Sequence, residues 1–176
     1  MQLLIRTSRL EIKPLAEEDL EAARILHNDS ETLRWLSDTR VISQSDQVNW
    51  FKELQTSKSS MRLAVHLLKS NDLVGVFRID QLDLLNKSVN VGLDISLSHR
   101  RLGYAKETYL GMFDYFFREL KLNRLSLITL ASNIAAIKLY EELGFSREGI
   151  LRQAFIRDSL FVDAYQYALL ESEFLN

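Results

Sequence analysis

The 176-residue sequence contains no cysteine, and this absence excludes disulfide bonds, thiolate metal sites and a cysteine nucleophile. It has a single proline, and no Gly/Ser-rich linker, low-complexity tract or internal repeat interrupts it. No apolar run approaches the roughly 20 residues of a membrane span, and the N-terminus lacks the zones of a signal peptide. We therefore expect one domain covering residues 1–176, located in the cytoplasm, without a membrane partner.

A strong charge of either sign is also missing. The formal net charge is −2 and the sequence pI is about 6.0, so no basic surface for nucleic acid is expected. The three histidines, His27, His66 and His99, are scattered and show no metal-ligand spacing. These observations predict neither a nucleic-acid partner nor a metal.

Local patterns predict strands that alternate with helices. Apolar residues alternate at odd positions from Val89 to Leu97, which is the spacing of a strand with one buried face. Similar reasoning predicts the remaining strands at residues 2–13 (with a break at 7–8), 61–68, 73–79, 124–130, 145–156 and 161–170. The predicted helices cover residues 17–27, 45–54, 103–120 and 133–143. This order of elements is typical of a mixed α/β (α+β) domain.

A basic loop follows the 89–97 strand and leads into a helix near Gly103. The backbone N–H groups that open a helix have no intrahelical acceptor, and the helix dipole there favours anions. Gly103 lets a ligand approach the backbone, while Arg100 and Arg101 add donors suited to phosphate. The pattern suits a pyrophosphate; alternatively, Gly103 only starts a helix and the arginines are solvated. It is neither a Walker A loop nor a dinucleotide fingerprint.

A second candidate feature is the helical face that carries Asn133, Ala136 and Tyr140. A phenol with a pKa of about 10 can protonate a departing thiolate. The alternative is structural, with Asn133 capping the helix and Tyr140 packing in the core.

Together these segments resemble the GNAT acetyltransferase superfamily and, within it, the RimJ/RimL-like branch. Its phosphate motif Q/R-x-x-G-x-G/A matches Arg100-Arg101-Leu102-Gly103-Tyr104-Ala105, and its N-x-x-A-x-x-x-Y-E-x-x-G-F signature matches residues 133–145 at every named position. Residues 6–15 and 145–152 resemble the opening of the branch and its F-x-x-E-G-x-x-R stretch. The similarity therefore runs nearly from end to end.

The resemblance implies a mostly antiparallel sheet of about seven strands, splayed at the central strands and flanked by about four helices. It also implies acetyl-CoA as co-substrate, with direct attack of an amine on the thioester and Tyr140 as general acid. The pantetheine arm would bind the backbone of Leu93, Asp94 and Ile95 together with Asn133. The pyrophosphate would bind at Arg100, Arg101, Leu102, Gly103, Tyr104, Ala105 and Lys106. The alternative is a CoA-binding sensor or degenerate relative without catalysis.

The sequence departs from the family at the general base. Many relatives carry a glutamate on the strand before the loop, where this chain has Asn90, and another family position for the base is Ile128. Asp94 lies on the same strand face as Asn90 and is a possible base. A solvated or ion-paired acid is the competing interpretation.

By the same resemblance, residues 28–54 and the turn at 157–161 would form the acceptor side, with Trp35, Trp50 and Phe51 as candidate walls. The alternative is that these aromatic residues, which have helical spacing, belong to the core. Acceptors in the branch include protein N-termini, amino sugars and polyamines. A polyamine would call for a strongly acidic pocket, whereas here arginine and lysine offset the acids of 28–54. We therefore rank a peptide N-terminus and an amino sugar together as the first candidate acceptors, ahead of a polyamine. We expect the protein to be a monomer or a homodimer.

Overall fold

The computed structural model describes residues 3–174, which form eight strands and six α-helices. The strands are β1 (Ile5–Arg6), β2 (Leu10–Pro14), β3 (Met61–Leu67), β4 (Leu73–Asp83), β5 (Ser88–Ile95), β6 (Arg124–Leu130), β7 (Ser146–Arg157) and β8 (Leu160–Leu170). The helices are α1 (Leu20–Asn28), α2 (Ser30–Leu33), α3 (Gln44–Thr56), α4 (Tyr104–Phe113), α5 (Ile134–Glu142) and α6 (Glu171–Phe174). Short 3-10 turns precede α1 and follow β5.

All strands belong to one sheet of order β1-β2-β3-β4-β5-β6-β8-β7. Neighbouring strands are antiparallel except β5 and β6, which pair in parallel at Ser88–Asn90 against Arg124–Ser126 and then separate. The expected mixed fold with a splay at its centre is therefore confirmed. The eighth strand arises because the predicted break at Thr7-Ser8 divides β1 from β2. Residue 2 of that predicted strand lies outside the described residues.

The helix predicted at 103–120 is divided into two kinds of helix. Gly103 itself is the N-cap, with φ +83°, and α4 begins at Tyr104. After Phe113 the chain continues as a π-helical turn at Asp114–Glu119. The two additional helices, α2 and α6, have four residues each, which is too short for a periodic signal in the sequence.

An aromatic core lies between α4 with its π-turn and the sheet. Phe77 of β4 packs edge to face against Tyr109 of α4, with the ring centroids 5.4 Å apart. Met112 of α4 and Phe117 of the π-helical turn are fully buried in the same core. A Cβ at Gly111 would lie 2.8 Å from Thr7 Cγ2, so the helix passes close to the β1–β2 turn. The core thus fixes α4, and with it the preceding loop, against the sheet.

A smaller apolar cluster packs α1 and α3 against the other face of the sheet. It contains Phe51, which is 8% exposed and packs with Leu20, Leu26 and Val76. Phe51 is therefore a core residue, as the alternative interpretation of these aromatic residues had it, and it does not wall an acceptor pocket. Within residues 3–174, no helix is long and apolar enough to cross a membrane.

Candidate active site

A cleft with a volume of about 1030 Å³ opens where β5 and β6 separate. Leu93 of β5 and Ile128 of β6 line its opposite sides. The cleft gathers all of the sequence-predicted site residues except Leu102: Leu93, Asp94, Ile95, Arg100, Arg101, Gly103, Tyr104, Ala105, Lys106, Asn133 and Tyr140. The side chain of Leu102 is half-exposed outside it. Residues from three separate segments of the chain thus meet in one cavity.

The loop before α4 has a backbone suited to an anion. Arg101 and Gly103 both have left-handed conformations, with φ +61° and +83°. Such alternation turns successive N–H groups toward one side, a geometry that forms anion-binding concavities. Gly103 has no side chain to cap the N–H groups of Tyr104, Ala105 and Lys106, so these donors remain at the N-terminus of α4. The arrangement can hold a phosphate.

The carboxylate of Glu107 fixes this loop to the β1–β2 turn. It accepts hydrogen bonds from Thr7 Oγ1 at 2.5 Å and Ser8 Oγ at 2.9 Å. It also accepts from the backbone N–H and the Nε of Arg9, at 2.9 and 2.6 Å. Burial raises the pKa of Glu107, but the donors at Thr7, Arg9 and Ser8 lower it by more, so the net pKa lies below its usual value.

Arg9 completes this attachment from the other side. Its Nη1 donates to the Leu102 carbonyl at 3.0 Å, and its guanidinium lies 4.5 Å from the centroid of the Tyr104 ring. Sequence reasoning missed both Arg9 and Glu107 as contributors to the loop. The only signal was the Arg6–Leu10 resemblance, which gave no partner.

Arg100 holds a different position from the one expected of a phosphate ligand. Its Nε donates to the Ile95 carbonyl at 3.0 Å, and its Nη2 donates to Thr32 Oγ1 at 2.6 Å. Thr32 lies in α2 and is 3% exposed. The guanidinium of Arg100 therefore joins the end of β5 to α2, whereas Arg101 lines the cleft with an exposed side chain.

Tyr140 lies in α5 at the inner wall of the cleft and is 8% exposed. Burial raises its pKa, and this outweighs the lowering effects of the Tyr109 hydroxyl and the Arg78 cation. The Tyr109 hydroxyl is buried without a partner of good hydrogen-bond geometry among the described residues, so its contact with Tyr140 is electrostatic rather than a formed hydrogen bond. At neutral pH Tyr140 is a protonated phenol beside a ligand-sized cavity.

Asn133 combines a structural contact with a place in the cleft. Its Oδ1 accepts a hydrogen bond from the Ala136 N–H at 3.2 Å, so it caps α5. Because this contact uses only the carbonyl of the side chain, the amide nitrogen can still donate to a ligand. Asn90, at the family position of the base, donates to Ser126 Oγ at 3.4 Å, and Ile128 offers no titratable group.

Arg78 and Asp94 mark the boundary between this cleft and a second cavity of about 730 Å³. Arg78 Nε lies 3.7 Å from Asp94 Oδ2, an ion-pair distance too long for a hydrogen bond. Both residues, with Leu36, line both cavities. Asp94 was a predicted base candidate, while Arg78 was missed because its place depends on the pairing of β4 with β5.

The second cavity lies on the side expected for an acceptor. Its walls include Trp50 of α3 and residues of the 36–42 loop. Trp35 lines the first cleft instead. The end of β7 reaches this region through Arg157, whose guanidinium donates to the carbonyls of Arg34 and Leu36. The predicted acceptor segments thus surround the end of the cleft that carries Asp94.

Comparison with known proteins identifies a family to which the sequence is similar. The sequence profile described as "Acetyltransferase (GNAT) domain" matches residues 9–146. The uncharacterized N-acetyltransferase p20 of Bacillus licheniformis is 26% identical over 171 residues, covering 96% of each chain. A spermidine N(1)-acetyltransferase of Vibrio cholerae is 24% identical over 169 residues, covering 96% of this chain and 97% of its own.

Solved structures show the same fold. The spermidine N-acetyltransferase of Vibrio cholerae, determined with CoA and spermine, superposes with a TM-score of 0.91 at 24% identity, covering 97% of this chain and all of that one. A GNAT family acetyltransferase from Bacillus anthracis gives a TM-score of 0.85 at 25% identity, again over 97% of this chain and all of that one. These similarities do not distinguish a RimJ/RimL-like branch, which stays a prediction.

Proposed function

This chain belongs to the GNAT acetyltransferase family, and from that premise we propose that it acetylates the primary amine of a small molecule or of a peptide N-terminus. Acetyl-CoA is the acetyl donor that the family uses. The observation that carries the proposal is the single cleft in which an anion-binding loop and a protonated, buried tyrosine face the same space. A cytoplasmic location is part of the same proposal.

The residues of the cleft fit acetyl-CoA. The free N–H groups at residues 104–106 and the Arg101 guanidinium would hold the pyrophosphate. The edge of β5 beyond Asn90 is no longer paired with β6 and offers backbone groups for an amide-bearing arm. Apolar walls at Leu93, Ile128 and Leu139 suit the rest of the arm. The donor thus supplies a thioester at the inner end of the cleft.

Tyr140 would act as the general acid of the reaction. When the amine attacks the thioester carbon, the C–S bond breaks and the sulfur leaves as a thiolate unless it receives a proton. The Tyr140 phenol is held protonated by burial and lines the inner cleft, so it can supply that proton. Such a proton transfer has no use in a protein that only binds CoA, and the position of Tyr140 therefore favours catalysis over a sensor role.

Asp94 would accept the proton that the amine loses, directly or through water. Its carboxylate lines both cavities and is therefore placed between the acceptor and the thioester. The strength that this base needs depends on the pKa of the acceptor amine. At pH 7 a lysine-like amine costs about 4–5 kcal/mol to deprotonate, whereas an α-amine costs only about 1 kcal/mol. The weak base provided by one ion-paired aspartate suits the α-amine better.

Relatives that are named for spermidine make a polyamine the second candidate acceptor. The charges of the second cavity do not favour it. The four acids of this cavity, Asp38, Asp46, Glu53 and Asp94, are largely offset by three arginines, Arg40, Arg62 and Arg78. A polycation would have to pass these arginines to bring a terminal amine beside Asp94.

Thiol release from acetyl-CoA in the presence of amines tests the proposal. The panel comprises short peptides with free N-termini, amino acids, amino sugars and spermidine. Turnover that depends on the amine, with a product heavier by one acetyl group, supports an N-acetyltransferase. Tight binding of acetyl-CoA without turnover on any class would instead support a CoA-binding sensor.

A further inference from the structure

We infer that Arg78 is the binding group for a carboxylate of the acceptor, so that the enzyme acts on amines that carry a carboxylate near the reacting nitrogen. This inference rests on the proposed function and narrows its acceptor to a zwitterionic class, such as a free α-amino acid or an acidic N-terminal residue. Three observations support the inference. They are the position of the Arg78 guanidinium, the absence of a hydrogen-bond acceptor for it within residues 3–174, and the proximity of Asp94.

The guanidinium of Arg78 packs against the backbone of β5 at Gly92. Arg78 pairs in register with Gly92 of β5, and a Cβ at position 92 would lie 2.8 Å from Arg78 Cζ. Glycine at 92 therefore leaves the space that the guanidinium fills. Protein surrounds most of the side chain, and the 36% that stays accessible faces the two cavities that it lines.

The hydrogen-bonding capacity of this guanidinium is unused within residues 3–174. Its Nε is buried and has no partner of hydrogen-bond length, since Asp94 Oδ2 stands at 3.7 Å. The other nearby carboxylate, Asp80, accepts from Arg62 at 2.8 Å. Burial lowers the pKa of Arg78, but Asp94 and Asp80 raise it by more, so the group stays charged. A guanidinium with a buried, unpartnered Nε and an accessible remainder is placed to form a bidentate contact with a ligand carboxylate.

The neighbouring charges match a zwitterion. Asp94 offers a carboxylate for an ammonium group, and Arg78 offers a planar fork for a carboxylate within the same few ångströms. An α-amino acid carries its two charges at a comparable separation. A polyamine has no anionic group to satisfy Arg78 and would place a second cation beside it.

The test compares matched acceptors and matched variants. Each acceptor pair consists of an amino acid and its α-carboxamide, with rates expressed per concentration of free amine because the two amines differ in pKa. Spermidine is a further acceptor. The variants are Arg78→Met and, as control, Arg118→Met, which removes an equally charged side chain that pairs with Asp114 on the surface. Calorimetric titration of the CoA-bound protein with the same pairs measures binding apart from turnover.

We expect the wild type and Arg118→Met to prefer the acids. In Arg78→Met, kcat/KM should fall roughly 30-fold or more further for the acids than for the amides, with unchanged affinity for acetyl-CoA. Equal use or equal binding of acids and amides, unaffected by Arg78→Met, would overturn the inference and leave the acetyltransferase intact. Failure to bind acetyl-CoA at all would instead reject the proposed function and the inference with it.

Discussion

The rings of Tyr109 and Tyr140 meet edge to face, with centroids 5.9 Å apart and planes at 85°. Tyr109 is anchored in the core by Phe77 and Phe145, so it fixes the orientation of Tyr140 at the wall of the cleft. Because neither ring can move without disturbing the core, the orientation of the Tyr140 phenol is fixed, as the proposed proton transfer requires.

Replacement of Tyr140 by phenylalanine removes the proposed acid while keeping the ring. We expect kcat to fall about 10²-fold, with affinity for acetyl-CoA nearly unchanged. Tyr115→Phe is the matched control, because Tyr115 lies outside the cleft and should keep full activity. Steady-state kinetics and titration with CoA make the comparison. Unchanged turnover in Tyr140→Phe would remove this residue from the mechanism.

The pH dependence of turnover should reflect the raised pKa of Tyr140. Because burial raises that pKa above 10.0, the phenol keeps its proton through the range in which an exposed tyrosine would begin to lose it. At saturating amine, kcat should therefore show no alkaline decline below about pH 10. A decline centred near pH 8 or 9 in wild type that is absent from Tyr140→Phe would contradict a raised value.

The conformation of Gly103 predicts a sensitive position in the loop. A side chain at φ +83° costs about 1–2 kcal/mol, so Gly103→Ala should strain the loop and raise the KM for acetyl-CoA roughly 5- to 30-fold. Gly149→Ala is the matched control, since a Cβ there meets nothing within 4 Å. Equal KM values in the two variants would show that the loop does not require this conformation.

Glu107→Gln should destabilise the fold in a pH-dependent way. Ionised Glu107 accepts four hydrogen bonds, and weakening them should cost about 1.5–3 kcal/mol at pH 7. Because its pKa is lowered in the folded protein, this stabilisation is complete above the unfolded value of 4.5 and is lost as the pH falls through the folded value.

Urea unfolding of wild type and Glu107→Gln at pH 7 and near pH 3.5 measures this difference. The gap in free energy of unfolding should narrow at the lower pH. Glu18→Gln, a change at an exposed glutamate outside this cluster, should have little effect at either pH. A gap that widens on acidification would contradict the assigned role of the Glu107 carboxylate.

The sequence contained enough to predict the cleft but not its boundary with the acceptor side. The loop at 100–106 and the Asn133–Tyr140 face are local patterns that are visible in the sequence. Spacing alone left two interpretations of each open, and their proposed roles follow from the resemblance to the GNAT superfamily. The hydrogen bonds of Glu107 come from residues 98 to 100 positions away, and the position of Arg78 follows from its register with Gly92. Arg100 was predicted to bind phosphate because nothing local reveals Thr32 as its partner. Contacts between distant segments leave no periodic signal.

A crystal structure of the protein with bound CoA would locate the diphosphate and the sulfur in a single experiment. We expect the diphosphate on the backbone N–H groups of residues 101–106 and the CoA sulfur within about 3.5 Å of the Tyr140 hydroxyl, consistent with proton transfer. A CoA molecule whose diphosphate lies elsewhere, or whose sulfur lies far from Tyr140, would contradict this expectation.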